Sequence, residues 1–195
     1  NIYPIFNQII SKREKENRLN QNAKCIWLTG LSGSGKTTLA LKLEKTLFEQ
    51  GFLIQILDGD NIRTGISNNL DFSEKDRLEN IRRIAEVSKL FINCGIITIN
   101  CFISPSNKIR LQAKKIIGDE NFIGIYINAD LSTCEKRDTK GLYKKARKGK
   151  IKNFTGISST FEKPDKTFIE INTNNNIEKS FNDLIKIILP QIEKK

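Results

Sequence analysis

The chain has no histidine among its 195 residues. That absence removes imidazole as nucleophile activator, metal ligand and general base at once. Cysteine is sparse: Cys25, Cys94, Cys101 and Cys134 form no CxxC pair and no zinc spacing. Scattered single thiols, with no signal-peptide pattern ahead of them, read as reduced and mostly buried, which predicts a cytoplasmic protein. No apolar run approaches the roughly 18 residues that a membrane-spanning helix needs, so no membrane partner is expected. Ordinary apolar and aromatic fractions, 38% and 8%, exclude a disordered or collagen-like chain.

What is present in excess is positive charge, a net +11. A basic surface suits nucleic acid, whereas a basic cleft suits phosphorylated or sulfated small molecules. Distribution favours the cleft. Residues 140–152, "KGLYKKARKGKIK", hold seven Lys or Arg and no acid, while the helices elsewhere mix both signs. An anionic small molecule is therefore the expected partner, and nucleic acid is not.

Apolar periodicity alternates between strand and helix along the chain. Strands are expected at 25–30, 52–60, 96–103, 122–127 and 167–172. Helices are expected at about 36–50, from Ser73 to Gly95, at about 108–117, in a short piece after 127, and at about 177–189. Gly51 is a natural left-handed terminator for the first of these, and Ser73 with Asp76 three residues on is a capping signal for the second. Such alternation argues an α/β domain, a mostly parallel sheet with helices on both faces. The first 22 residues read as a polar arm outside the sheet, and 23–195 as a single domain.

The segment Gly30–Thr37, "GLSGSGKT", satisfies G-x-x-x-x-G-K-[ST] at every defined position. Gly30, Gly33 and Gly35 allow the backbone to turn successive N–H groups, with those of Leu31, Ser32 and Ser34, towards one anion. The helix opening at the loop adds its N-terminal dipole. Lys36 reaches the outer phosphates, the Thr37 hydroxyl is placed to ligate Mg²⁺, and Thr38 completes the expected ATP contacts. A nucleotide switch would carry an Asn-Lys-x-Asp base-reading element. The only Asn-Lys pair, Asn107-Lys108, continues as Ile109-Arg110, so that element is missing.

"LDGDNIRTG" (57–65) places Asp58 and Asp60 at the end of the second strand, the edge where ligands of parallel sheets sit. Phosphoryl transfer to an alcohol needs the acceptor oxygen in line with phosphorus and its proton taken as the bond forms. Without histidine, carboxylates are the natural groups: Asp58 towards the metal and its waters, Asp60 towards the acceptor hydroxyl. Arg63, three residues past Asp60, is suited to grip an anion. Arg77 and Asn80 share a face of the next helix, whereas Arg82 and Arg83 read as solvated surface.

Taken with "FSEKDRLENIRRIAEVSKLF", "FISP" (102–105), "CEKRDTKGLYKKARKGKIKNFTGI" (134–157) and "FEKPD", these segments identify a chain that resembles the adenylyl-sulfate kinase family over most of residues 24–172. The resemblance implies a three-layer P-loop kinase fold that phosphorylates the ribose 3′-hydroxyl of adenosine 5′-phosphosulfate from ATP and Mg²⁺, in sulfate activation. It implies that Phe72 and Phe154 sandwich the substrate adenine, and that Arg63, Arg77 and Asn80 hold its ribose and phosphosulfate. Ile103 and Ser104 lie beside the acceptor, Lys144 is similar to a lid lysine meeting the substrate, and residues 137–154 form the lid, with Arg137 packed on the ATP adenine. Ser104 matches the position of a reported phosphoserine. No base is placed by sequence to activate it, however, and direct in-line transfer accounts better for the acids. A homodimer and a functional association with ATP sulfurylase are further expectations of the resemblance.

The chain also departs from the family. Ser106-Asn107 stands where an aromatic-arginine pair is usual, Pro4-Ile5 where a Trp-His pair is usual, and Asn128 where a strand-end Asp is usual. Two alternatives stay open on residues alone. One is a different small-molecule kinase on the same fold. The other is a degenerate kinase domain that serves as a regulatory or nucleic-acid-binding partner.

Overall fold

The computed structural model describes residues 2–5 and 8–194. Five strands form one sheet: β1 (Cys25–Thr29), β2 (Ile54–Asp58), β3 (Ile97–Cys101), β4 (Phe122–Asn128) and β5 (Ile169–Asn172). Their order is β2-β3-β1-β4-β5, with every pairing parallel. β1 sits at the centre because all five of its residues, "CIWLT", are buried on both faces, the pattern that a strand covered on each side requires. The chain moves to one side of β1 for β2 and β3, then crosses to the other for β4 and β5. The resulting switch point opens a crevice beyond the carboxyl ends of β1 and its neighbours.

Helices cover both faces. On one, α2 (Lys36–Glu49) and α8 (Ile177–Ile192) bury Leu39, Leu43, Leu47, Leu184 and Ile188 against Ile26, Leu28, Ile99 and Ile125. On the other, α4 (Glu74–Asn93) and α5 (Asn107–Ile117) pack Ile81, Ile84, Ala85, Ile109 and Ala113 around Trp27, which is fully buried between Phe102 and Phe122. At roughly 25 cal/mol per Å² of apolar surface, each fully buried leucine or isoleucine contributes about 2 kcal/mol. A third cluster, Cys134, Tyr143, Ala146 and Phe154, joins α6 (Leu131–Arg137) to α7 (Leu142–Arg147) and the loop that follows, and so packs the segment 137–154 expected to act as a lid. Among the described residues no helix is long and apolar enough to cross a membrane.

Three expectations shift. Residues 12–22 do not stand apart as an arm but are laid onto the domain. α1 (Lys12–Leu19) is closed by a capping box between Ser11 and Glu14. The fully buried Gln21 donates to the carbonyls of Leu53 and Gly95 and accepts from the Leu53 N–H at 2.8 Å. The second strand stops at Asp58 rather than Asp60, because the Asp58 carboxylate caps a short helix, α3 (Gly59–Thr64), by accepting the Asp60 N–H at 3.0 Å. Finally, α8 runs past Pro190 to Ile192. The Ile192 carbonyl there accepts the Asn22 N–H at 2.7 Å, so the helix end and the start of β1 are tied together.

Candidate active site

The crevice at the carboxyl ends of the strands is one cavity of about 920 Å³, at the upper end for small-molecule sites. The phosphate loop forms its floor. Gly30 has φ +151, and a Cβ there would sit 2.4 Å from the Ile127 carbonyl oxygen, so only glycine fits between the loop and β4. Lys36 leads α2 and is folded back, its ammonium donating to the carbonyls of Gly30 and Leu31 at 2.9 and 2.7 Å. Burial pushes that ammonium down to about 8 from its ordinary 10.5, with Lys140 adding repulsion and Asp58 opposing it. A cation so desolvated is poised to gain from an arriving phosphate.

Thr37, next along α2, donates its hydroxyl to Asp58 Oδ2 at 3.0 Å. The same carboxylate caps α3 through Oδ1, which fixes its orientation from two sides. Asp60, one residue into α3, points to the lid and pairs with Lys140. That contact raises the Lys140 ammonium, with the hydrogen bond it donates to Asp60 as the largest cause. Thr37 and Asp58 suit Mg²⁺, which takes few protein ligands and keeps several waters. No cluster of three His, Cys, Asp or Glu offers a dehydrated metal cage among the described residues.

Arginines bind the walls. Arg137 donates to the carbonyls of Gly33 and Thr173, so it braces the phosphate loop from the root of the lid. Arg63 donates to Leu70 and Asp71 carbonyls and lies over the Phe72 ring, 4.2 Å from its centroid. Arg77 reaches across to the far end of the lid, donating to Thr155 Oγ1 at 2.8 Å and to the Asn153 carbonyl at 2.6 Å. Phe154 stands edge-on to Tyr143, whose hydroxyl donates to the Ser32 carbonyl at 2.9 Å.

The loop after β3 is held from below. Ser104 adopts φ +44, a left-handed conformation that costs a non-glycine residue on the order of 1 kcal/mol and persists because its surroundings over-determine it. Its Oγ accepts the Trp27 indole N–H at 3.0 Å, and its carbonyl accepts from Arg110. The Ile103 carbonyl accepts the Thr29 hydroxyl at 2.6 Å. Asn107, at the family's arginine position, accepts from Arg110 and does not line the large cavity.

Most residues singled out by sequence therefore converge. Ser32, Gly33, Gly35, Lys36, Thr37, Thr38, Asp58, Asp60, Arg63, Phe72, Arg77, Asn80, Ile103, Ser104, Arg137 and Phe154 line the cavity, whereas Gly30, Leu31 and Ser34 shape the loop from behind it. Lys144 is the exception: it is exposed and outside the lining. Asp138 accepts the N–H groups of Tyr143 and Lys144 and so starts α7 there, leaving Lys140 on the preceding turn to enter the site. Sequence gave no ground for choosing Lys140 among seven neighbouring basic residues. Arg82 and Arg83 both pair with Glu79 on the helix surface.

The family model described as adenylylsulphate kinase matches residues 22–172. An adenylyl-sulfate kinase of Bacteroides fragilis is 56% identical over 195 residues, covering 100% of this chain and 96% of that protein. One from Clostridium acetobutylicum is 50% identical, covering 93% and 90%. The Mycobacterium tuberculosis APS kinase, solved with AMPPNP and APS, superposes with a TM-score of 0.82 at 38% identity, covering 86% of this chain and 98% of that one. On this similarity, with the phosphate loop and acids in place, the chain belongs to the adenylylsulphate kinase family.

Proposed function

We infer that this chain transfers the γ-phosphoryl group of ATP to the 3′-hydroxyl of adenylyl sulfate, giving ADP and 3′-phosphoadenylyl sulfate. One observation carries the reading: a single cavity is lined by the phosphate loop, by Asp58 in contact with Thr37, by Asp60, and by two aromatic side chains, Phe72 and Phe154. That is the layout a triphosphate donor and a nucleotide acceptor require.

The roles follow from chemistry. Lys36 leaves the Gly30 and Leu31 carbonyls for the outer phosphates, while the loop amides hold the inner ones. Bound Mg²⁺ would be held by Thr37 and, through water, Asp58, and would supply neutralisation of the phosphate charge. Asp60 is placed to align the acceptor hydroxyl and take its proton. Its lid partner Lys140 is then released towards the anionic substrate, and closure of the lid excludes water that would hydrolyse ATP. Arg63 and Asn80 face the phosphosulfate and ribose, and Arg137 backs the ATP side. Lys144 stays outside this set. Ser104 is 2% exposed with its oxygen engaged by Trp27, which favours direct in-line transfer over a phosphoserine.

The test is ADP release from Mg-ATP with and without adenylyl sulfate. Turnover that depends on adenylyl sulfate upholds the reading, and turnover only with another hydroxylated metabolite overturns it. The same reading carries a cytoplasmic location, a place in sulfate activation, a homodimer, and functional association with the ATP sulfurylase that makes the substrate. Light scattering on the purified protein checks the dimer.

A further inference from the structure

The two aromatic walls of the cavity are held very differently. Phe154 is embedded in the lid: its N–H donates to Ser158 Oγ, its carbonyl accepts the N–H groups of Ile157, Ser158 and Ser159, and its ring meets Tyr143. Phe72 is 57% exposed and belongs to none of the apolar clusters among the described residues. A ring without apolar packing keeps its place only through its backbone and whatever lies over its face.

Both supports trace to arginine: Arg63 lies over the Phe72 face, 4.2 Å from the ring centroid, with Arg77 farther out at 5.9 Å, while Arg77 alone of the two also reaches the segment around Phe154. Arg77 Nε donates to the Phe72 carbonyl at 2.9 Å, Nη2 to the Asn153 carbonyl at 2.6 Å and Nη1 to the Thr155 hydroxyl at 2.8 Å. Asn153 and Thr155 are the residues on either side of Phe154. Asn153 itself has φ +55, so the backbone entering Phe154 is bent through a conformation that needs outside support. A guanidinium is flat and its N–H directions are rigid, so three bonds from one such group set the separation of the segments it joins.

We propose that Arg77 is a positioning residue that sets the gap between Phe72 and Phe154, and thereby makes acceptor binding depend on a large flat base. This rests on the reading that the acceptor is adenylyl sulfate. A slot between two rings favours a base in proportion to its stacking area, so a fixed gap selects a purine over a pyrimidine, and a slack gap does so poorly. An Arg77 that only gripped the phosphosulfate would act on the anion and be blind to the base.

The experiment compares kcat/KM for adenosine 5′-phosphosulfate with that for uridine 5′-phosphosulfate, which carries the same anion on a smaller base. Wild type comes first, and if it ignores adenylyl sulfate the functional reading fails before the slot is tested. In Arg77→Lys, which keeps the charge but not the fork, the adenosine-to-uridine ratio is expected to fall about tenfold, the order of one lost stacking face. Thr155→Val keeps Arg77 and its charge and removes one of the three acceptors, so it separates a slackened slot from a lost anion contact. It is expected to lower the ratio about threefold, less than Arg77→Lys, because two of the three bonds that hold the gap remain. ATP affinity and circular dichroism confirm that each variant is folded. Equal loss for both acceptors, or a Thr155→Val enzyme with the wild-type ratio, overturns the proposal.

Discussion

Lys36 offers a test of the site that does not depend on turnover. In the nucleotide-free protein its ammonium is buried, donates to two carbonyls, and is pushed down by burial to about 8 from 10.5. Because the folded value is depressed, the usual sign for a lysine is reversed. Below pH 8 both states are protonated and the fold bears the full cost of the buried charge. Above pH 8 the folded state loses its proton while the unfolded state keeps it up to about 10.5, so stability rises with pH. At 1.36 kcal/mol per unit, the whole difference of about 2.5 units is worth about 3 kcal/mol, of which about 2 kcal/mol is regained between pH 7.5 and 9.5. Lys36→Met keeps the aliphatic stem and removes the ammonium. Urea unfolding of both proteins at half-unit steps over that range should show wild type gaining about 2 kcal/mol on the variant. With saturating Mg-ATP the gain should disappear, since phosphates beside Lys36 restore its proton affinity. Parallel curves for the two nucleotide-free proteins would refute the reasoning, because a solvated Lys36 does not titrate until far higher pH.

Other consequences are simpler to check. Asp60→Asn should lower turnover about a thousandfold, the range for loss of a general base, while leaving ATP affinity unchanged in an equilibrium binding assay. Thr37→Ala should raise the Mg²⁺ concentration for half-maximal rate about tenfold, and chelation should stop wild-type turnover. Leu43→Ala, in the fully buried stripe of α2, should cost 2–5 kcal/mol in chemical denaturation, in the manner of large-to-small core changes. Gly30→Ala should fail to bind ATP, because its methyl would overlap the Ile127 carbonyl; calorimetric titration with Mg-ATP reads this directly.

The phosphate loop could be read without a structure because its function resides in contiguous backbone: three glycines, a lysine and a threonine opening a helix need no distant partner to be recognised. The strand–helix alternation was legible for a similar reason, since a continuously apolar β1 and the three-to-four spacing along α4 report burial directly. Asp58 and Asp60 were found by their place at the end of a strand. The helical turn that separates their tasks was not, because a carboxylate that caps its own following segment leaves no pattern beyond an Asp-Gly pair. Gln21 was missed because a lone polar residue in a polar stretch gives no sign that two distant carbonyls await it. The choice of Lys140 over Lys144 lay beyond any reading of "KGLYKKARKGKIK", where composition is uniform and only the Asp138-capped start of α7 decides which ammonium enters the cavity. Arg77 shows the same limit. Its helical position marks it as near the site, but its three acceptors come from residues five, 76 and 78 positions away, and only folding brings them within reach of one guanidinium. Chemistry carried by a short run of backbone is thus written in the sequence itself, whereas side-chain partners remote along the chain are chosen by tertiary packing.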